Sequence, residues 1–341
     1  MSKWQKTVLK VFVALTLTTS SIYIFAPWEY GVYYFKPLSP TIDSEAQLAS
    51  ENGIDGIIIY TQTGNEPGQI VARGWHNRAA AIPAYGQALF KIASIAKLYE
   101  AAAITKLIAT KQLDANQSIA HYLPQFAARI EYADLITIKM LVTHRSGVPN
   151  FTEQPGFDWA SNDIDVFSLM LDKPADFKPD SDYAYSNSNY LLLTQIMNNV
   201  LGYDYRQFIQ AQLLEPLALN HTFFSIHEVD MDELMSGYYV GYDDDLKYLD
   251  QGYVATVRDV GMFIRALNEG TLFTTEEADI YESLYEYGHT GWVLGYSSIA
   301  RYHKDTDTVV IQFTNTTGDD RVLLTQIIYA RILDILNNAG N

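Results

Sequence analysis

Ser94 and Lys97 are the residues whose types and spacing best fit a chemical role. The sequence predicts that a helix begins at Ser94, and side chains three positions apart on a helix share a face, with Cβ atoms about 5–6 Å apart. A serine hydroxyl becomes an effective nucleophile only when a nearby base, here a neutral lysine amine, removes its proton. The chain contains only one Ser-x-x-Lys sequence, so we expect a nucleophile and its base within this single helical turn.

Two further short motifs follow in the chain, and each occurs once. Tyr185-x-Asn187 lies in a turn-like run before a predicted helix, and His289-Thr290-Gly291 begins a predicted strand. Each is weak alone, because a core tyrosine or a strand-edge histidine needs no chemical role. Together with the serine–lysine pair they come from a helix start, a loop and a strand edge, which are elements that can converge on one cleft.

Patterning predicts the elements that must position these motifs. Strands are expected at residues 56–61, 69–75, 290–300 and 308–314. Helices are expected at residues 94–109, 189–201, 205–214, 257–267 and 323–336. The first of these helices has apolar residues around most of its circumference, so we expect it to be largely buried. Ser188 and Gly202 are expected to cap the two ends of the second.

Strands at both ends of the chain, with helices between them, indicate one sheet assembled from the two ends. We therefore predict an α/β fold of the α+β type, with a central antiparallel sheet from about residues 50–93 and 250–341 flanked by helices. The helical region at about 110–230 is then an insertion rather than an independent domain. With 341 residues, 48% of them apolar, the chain can form a sizeable core.

Composition excludes several classes of function. The net charge of −17 argues against nucleic-acid binding, because phosphates would be repelled. The absence of cysteine excludes disulfides, thiolate metal sites and cysteine nucleophiles. The acidic run at residues 243–245 is expected to be a solvated loop, since a calcium site needs spaced oxygen ligands. No histidine has metal-ligand spacing, and we expect neither a metal nor a cofactor.

The N-terminal segment has the pattern of an export signal. Lys3, Lys6 and Lys10 precede an apolar stretch at residues 11–26, which is short for a membrane span of about 20 residues. We expect residues 1–35 to be a signal peptide or an uncleaved signal anchor, and 36–47 to be a linker. The remainder should then lie in the cell envelope, on its periplasmic or extracellular side, attached to the membrane or released from it.

The three motifs, in this order, resemble those of the penicillin-recognising serine hydrolases of the class C β-lactamase and D-alanyl-D-alanine carboxypeptidase type. The resemblance covers about residues 50–335 and is specific in combination. Further similar stretches are residues 90–97, 111–124, 136–148 and 252–259. The resemblance implies a β-lactamase/transpeptidase-like fold, with residues 48–341 forming a serine hydrolase domain.

The resemblance implies a role for each motif residue. Ser94 would attack a carbonyl and form an acyl-enzyme, with Lys97 as its base. Tyr185 would share the proton and pass it to the leaving group. Asn187 would hold a substrate amide and orient Lys97. The backbone N–H groups of Ser94 and Trp292 would form the oxyanion hole.

The third motif is where the chain departs from most class C β-lactamases, which have lysine in place of His289. His289 and Thr290 would line the opposite wall and contact a substrate carboxylate or the reacting group, and Gly291 would leave room for substrate. A histidine is a weaker and titratable cation, and it resembles the residue found in certain carboxypeptidases and esterases of the family. This departure argues against strong β-lactamase activity.

The resemblance therefore implies a hydrolase that forms an acyl-enzyme on a peptide or ester bond, most similar to D-alanyl-D-alanine carboxypeptidases of the cell envelope. Its partner would be a small-molecule or peptide substrate, such as a cell-wall peptide, an ester or a β-lactam. An esterase or weak β-lactamase of the same family is one alternative. A non-catalytic envelope sensor or scaffold that binds muropeptides or β-lactams is another.

Overall fold

A computed structural model of the protein describes residues 2–25, 28–318 and 321–339. The α-helices in these ranges are α1 (Lys3–Phe25), α2 (Trp28–Tyr34), α3 (Ile42–Ser50), α4 (Ala96–Ala109), α5 (Ile119–Tyr122), α6 (Ile138–Val142), α7 (Asn187–Leu201), α8 (Tyr205–Ile209), α9 (Val257–Glu269), α10 (Thr275–Glu282) and α11 (Arg321–Ala339). The strands are β1 (Gly56–Thr63), β2 (Gln69–Asn77), β3 (Ile82–Pro83), β4 (Phe90–Lys91), β5 (Thr222–Phe223), β6 (Tyr238–Tyr239), β7 (Val254–Ala255), β8 (His289–Val293), β9 (Tyr296–His303), β10 (Thr308–Thr314) and β11 (Thr316–Thr317).

The main sheet joins the two ends of the chain. In the described part of the chain it has six strands in the order β3-β2-β1-β10-β9-β8, and every neighbouring pair is antiparallel. The central pair aligns Ile57 with Thr314 and Thr63 with Thr308, so an early strand lies directly against a late one. This confirms the predicted antiparallel sheet built from both ends. Strand β8, which carries the His-Thr-Gly motif, lies at one edge.

Helices cover both faces of this sheet. On β1, Ile57 and Ile59 are buried in a cluster with residues of α3 and α11. The alternate residues Ile58 and Tyr60 are buried in the larger cluster with α4, α7 and α9. Successive side chains of a strand point to opposite faces, so a strand covered on both sides needs a continuous apolar run. The Ile-Ile-Ile-Tyr sequence supplies that run.

Helix α7 begins earlier than predicted. Its N-cap is Ser186 rather than Ser188, and the helix spans Asn187–Leu201. The hydroxyl of Ser188 donates a hydrogen bond to the backbone oxygen of Pro149 at 2.6 Å, so it fixes a neighbouring loop instead of capping the helix. The predicted C-terminal stop is confirmed, because Gly202 adopts a left-handed φ of 73°.

Other elements differ from the pattern-based expectations. The predicted strand at 290–300 is a hairpin of β8 and β9, and Gly295 turns it with a φ of 83°. Residues 42–47 of the predicted linker belong to α3. The predicted helix at 205–214 is α8 followed by a π-helical turn at Gln210–Leu214. Short helices and loops, rather than long helices, make up much of residues 110–230.

The acidic run at 243–245 is only partly a solvated loop. Asp243 and Asp244 are exposed, as predicted. Asp245 accepts a hydrogen bond from the hydroxyl of Ser236 at 2.6 Å and another from the backbone N–H of Lys247 at 3.1 Å. Its carboxylate therefore fixes the 3-10 turn at Leu246–Tyr248 to the preceding chain.

The N-terminal segment forms α1 and α2, with Ala26 and Pro27 outside the described residues. No helix within residues 2–25, 28–318 and 321–339 is long and apolar enough to cross a membrane. Tyr33 of α2 is buried and donates a hydrogen bond to Glu45 at 2.8 Å. Tyr30 and Tyr33, which we expected to belong to a signal, are thus packed against the folded chain.

Candidate active site

A strained turn presents Ser94. The predicted helix start is a 3-10 turn at Ala93–Ile95, and the α-helix proper begins at Ala96. Ala93 has a positive φ of 50°, which is uncommon and unfavourable for a residue with a side chain. The turn follows β4 directly and places Ser94 at the N-terminal end of α4. The chain therefore holds an unfavourable backbone conformation next to the candidate nucleophile.

Four of the predicted residues form one hydrogen-bonded network. The Nζ of Lys97 lies 3.1 Å from the Oγ of Ser94, and the hydroxyl of Tyr185 lies 2.7 Å from the same Oγ. Lys97 also donates to the Oδ1 of Asn187 at 2.9 Å, and its side chain is almost fully buried. Residues separated by about ninety positions in the chain thus meet around one serine oxygen.

Two residues outside the three motifs bind Asn187. The side-chain Nδ2 of Asn187 donates to the hydroxyl of Thr152 at 3.3 Å, and the backbone N–H of Asn187 donates to the Oδ1 of Asn150 at 3.1 Å. Because Nδ2 is directed at Thr152, the Oδ1 atom faces Lys97. Sequence reasoning missed Asn150 and Thr152, since the loop at 149–153 has no periodic pattern or paired spacing.

His144 supports the tyrosine rather than titrating. Its ring lies 4.4 Å from the ring of Tyr185, and its Nδ1 accepts a hydrogen bond from the backbone N–H of Ser186 at 3.2 Å. Burial, together with the nearby charge of Lys97, lowers the pKa of His144 to about 3. The imidazole is therefore neutral at pH 7 and acts as a packing surface for the phenol.

The third motif brings His289 to the opposite wall without a fixed positive charge. Its ring centroid lies 6.2 Å from that of Tyr185, and its Nε2 lies 3.4 Å from a carboxylate oxygen of Glu286. Burial lowers the pKa of His289 to about 4, with the charges of Lys97 and Arg301 contributing. At neutral pH this wall therefore presents an uncharged imidazole.

Gly291 lets β8 approach the nucleophile turn closely. A Cβ atom at this position would lie 2.3 Å from the backbone oxygen of Ile92 and 2.3 Å from the hydroxyl of Ser298. The glycine therefore makes room for the nucleophile turn, and it does not itself line the cleft. Its neighbours Thr290 and Trp292 do line the cleft, and the ring of Trp292 meets that of Trp159 edge-on at 5.4 Å.

The network opens into a cavity of about 930 Å³. Its charged lining residues are mostly acidic: Glu100, Asp158, Asp250 and Glu286, with Lys97 and Arg206 as cations. Tyrosines and other aromatic side chains line much of the rest. Within the residues that the structure describes, no group of three or more histidine or carboxylate side chains is placed to hold a metal ion.

A curated protein is similar to part of this chain. "Protein flp" of Staphylococcus aureus (strain MW2) is 33% identical over 138 residues, which are 40% of this chain and 28% of that protein. The chain thus matches less than a third of the length of this curated relative.

Two solved structures share the fold. The D-amino acid amidase of Ochrobactrum anthropi SV3 superposes with a TM-score of 0.76 at 19% identity, over 88% of this chain and 98% of that one. A penicillin-binding protein of Bacillus halodurans superposes with a TM-score of 0.69 at 20% identity, over 82% and 96% of the two chains. The predicted β-lactamase/transpeptidase-like fold is confirmed. The Beta-lactamase family model matches residues 45–283, and the chain belongs to this family of serine hydrolases.

Proposed function

We propose that this protein hydrolyses an amide or ester bond through a covalent acyl-enzyme on Ser94. One observation carries the proposal: the Oγ of Ser94 lies within hydrogen-bonding distance of both the Nζ of Lys97 and the hydroxyl of Tyr185. A nucleophile in contact with two groups that can exchange protons has what both halves of an acyl-transfer reaction require.

The first half of the reaction forms the acyl-enzyme. Neutral Lys97 takes the proton of Ser94 as Oγ bonds to the substrate carbonyl carbon. The carbonyl oxygen becomes an oxyanion, which the backbone N–H groups of Ser94 and Trp292 stabilise. The carbonyl re-forms as the bond to the leaving nitrogen or oxygen breaks, and Tyr185 donates a proton to that atom. Lys97 returns a proton to Tyr185, which leaves an ester on Ser94.

The second half releases the acid. A water molecule loses a proton to the Lys97–Tyr185 pair as its oxygen attacks the ester carbon. The bond to Ser94 breaks, and that proton returns to Oγ. Asn187 keeps the amine in line throughout, because its Oδ1 accepts a hydrogen bond from Lys97 at 2.9 Å.

The substrate that the site supports best is a D-amino-acid peptide of the D-alanyl-D-alanine type, cleaved by carboxypeptidase action in the cell envelope. The presence of all three motifs in this order supports this proposal. In it, Thr290 and His289 hold the leaving residue from the wall opposite the Ser94 network.

One observation favours a second candidate. A carboxypeptidase substrate carries a terminal carboxylate, but His289 is neutral near pH 7 and lies 3.4 Å from Glu286. A carboxylate would meet no fixed positive charge from this pair. An amide or ester without a terminal carboxylate suits such a wall better, so esterase or amidase action is the second candidate, and weak β-lactamase action belongs with it.

Labelling and turnover together test the proposal. A fluorescent penicillin or fluorophosphonate should label the wild-type protein at Ser94 and fail to label Ser94→Ala. Equal labelling of the two proteins would remove Ser94 as the nucleophile.

Turnover of a D-alanyl-D-alanine peptide and of its C-terminal amide then separates the two candidates. A carboxypeptidase should prefer the free carboxylate, and an amidase should prefer the amide. Labelling without turnover of either peptide or of a chromogenic ester would indicate an envelope sensor and refute the hydrolase.

A further inference from the structure

Glu100 is a buried carboxylate that the mechanism above does not use. It lies on α4 three residues after Lys97, is 7% exposed and lines the cavity. Among the described residues, none donates a hydrogen bond to it or forms an ion pair with it, since Lys97 is directed at Ser94 and Asn187. The carboxylate faces the cavity, and no described residue takes up its hydrogen-bonding capacity. Such a group therefore suits a partner that enters from the cavity.

The surroundings of Glu100 fit a cationic partner. Tyr190, Tyr205 and Tyr253 also line the cavity, and burial raises the pKa of each, with a smaller contribution from the charge of Glu100. Aromatic ring faces attract ammonium groups, and a carboxylate among them adds an opposite charge. Arg206 also lines the cavity, and its Nε donates hydrogen bonds to both carboxylate oxygens of Asp204, at 2.9 and 3.0 Å.

The ionisation of Glu100 is consistent with this reading. Burial raises its pKa to about 7, against the opposing influence of the charge on Lys97. An ammonium group bound beside it would favour the ionised carboxylate. A neutral ligand would leave the carboxyl group partly protonated at neutral pH.

The position of Glu100 defines which part of a substrate it would meet. Ser94, Lys97 and Glu100 follow one another at three-residue intervals along α4, so Glu100 lies about 9 Å further along the helix axis than Ser94. In the proposed reaction Tyr185 protonates the leaving group, and His289 and Thr290 hold it. The acyl part of the substrate would then extend past Lys97, towards Glu100, which lines the same cavity.

We propose that Glu100 is a specificity residue that binds a primary ammonium group on the acyl part of the substrate, several bonds from the reacting carbonyl. The proposal rests on the acyl-transfer function proposed above. The substrate class is an acyl donor with a lysine-like or ornithine-like amine, or a peptide whose free amino terminus reaches the same point.

Two matched esters test this assignment. One is the Nα-acetyl-D-lysine thioester, and the other is the Nα-acetyl-D-2-aminoheptanoic acid thioester, in which a methyl group replaces the ammonium. We expect wild type to favour the lysyl ester by about tenfold or more in kcat/KM, mainly through KM. Glu100→Gln should abolish that preference and leave kcat/KM for the neutral ester within about threefold of wild type.

Further variants control for structural effects. Glu282→Gln removes an exposed carboxylate of α10 and should keep the wild-type preference. Glu100→Asp keeps the charge and should retain part of the preference. If the preference is absent from wild type, or persists in Glu100→Gln, the assignment is wrong. If both esters lose rate equally in Glu100→Gln and Glu100→Asp, Glu100 is a positioning residue for Lys97 instead.

A binding measurement separates this proposal from the hydrolase proposal. In Ser94→Ala, which should not turn over either ester, the lysyl ester should raise Tm. The 2-aminoheptanoyl ester should raise Tm far less. Adding Glu100→Gln should remove the difference. If wild type turns over neither ester but the Tm difference is present and depends on Glu100, the hydrolase proposal fails and the ammonium site stands. If wild type turns over the esters but the Tm difference is absent, the ammonium site is wrong and the hydrolase proposal stands.

Discussion

The two walls of the cleft differ in how completely their polar groups are paired. On one wall, Ser94, Lys97, Tyr185 and Asn187 form a closed network with the buried amine of Lys97 at its centre. On the other wall, β8 presents a neutral His289 next to an acidic neighbour. In the proposed mechanism, the residues that break the bond and the residues that would select a carboxylate therefore lie in separate parts of the cleft. The Ser94 network is fully hydrogen-bonded, whereas the wall with His289 has no fixed positive charge.

The largest expected effect comes from the paired wall. Lys97→Ala should slow acylation of Ser94 by about 10³-fold, because the serine loses its base and Asn187 loses its partner. Stopped-flow measurement of labelling by a fluorescent penicillin gives the rate. An unchanged acylation rate would assign the base to Tyr185. The fully paired network around Lys97 would then not be what distinguishes this wall from the one with His289.

Gly291→Ala should have the next largest effect, because it alters the contact between the walls. The added Cβ would lie 2.3 Å from the backbone oxygen of Ile92, so β8 and the nucleophile turn must separate. We expect kcat/KM to fall by about 10²-fold and Tm to fall with it. Gly31→Ala is the matched control, since a Cβ there meets nothing within 4 Å and should leave both values unchanged.

His289→Lys should sharpen the comparison by adding the missing charge. Next to Glu286, the new ammonium should raise the ratio of kcat/KM for a D-alanyl-D-alanine peptide over its amide by about tenfold. His289→Gln is the neutral control and should leave the ratio near that of wild type. A lysine variant with an unchanged ratio would place carboxylate recognition elsewhere.

The titration of His289 checks the premise of that comparison. The ring should titrate with a midpoint near pH 4 by NMR in Ser94→Ala. Because its pKa is lowered in the folded state, the unfolded chain binds more protons between about pH 4 and 6.5, so this group makes folding less favourable as the pH falls through that range. A midpoint near 6.5 would restore a cation to this wall in mildly acidic solution.

Thr152→Val should have the smallest effect. It removes the hydroxyl that accepts a hydrogen bond from the Nδ2 of Asn187, and it keeps the shape of the side chain. The amide of Asn187 can then rotate, and we expect acylation to slow by about threefold. Thr194→Val, elsewhere on the cavity lining, is the control. Equal rates for all three proteins would show that the hydrogen bond to Thr152 does not position the amide of Asn187.

The sequence predicted the sheet and the network better than it predicted the loops. Strands β1 and β10 follow from continuous apolar runs, and the serine, lysine, tyrosine and asparagine occur in motifs that each appear once. Asn150 and Thr152 could not be predicted, because their role depends on a contact with a helix more than thirty residues away. The sequence identified Gly291 as a motif residue. The need for a glycine there depends on how closely β8 approaches the backbone of Ile92, which the sequence does not show.

Glu100 was missed although the sequence contained a signal for it. The helix from residue 94 was expected to be buried on most sides, and a glutamate within such a helix needs a partner. The apolar pattern of this helix predicts its burial but not the role of Glu100, its one acidic residue. In a buried helix, a charged residue is therefore the position most indicative of a functional role.

The cluster beneath α2 sets a practical limit on how far the chain can be shortened. Arg331 near the C-terminus binds Glu45 at 2.7 and 2.9 Å, and both side chains are almost fully inaccessible to water. Tyr33 completes the cluster by donating to the same carboxylate at 2.8 Å. Cutting the protein at residue 47, where the hydrolase was expected to begin, would remove Glu45 and Tyr33 and leave the guanidinium of Arg331 without its carboxylate. A trimmed version for crystallisation should therefore start before Tyr30.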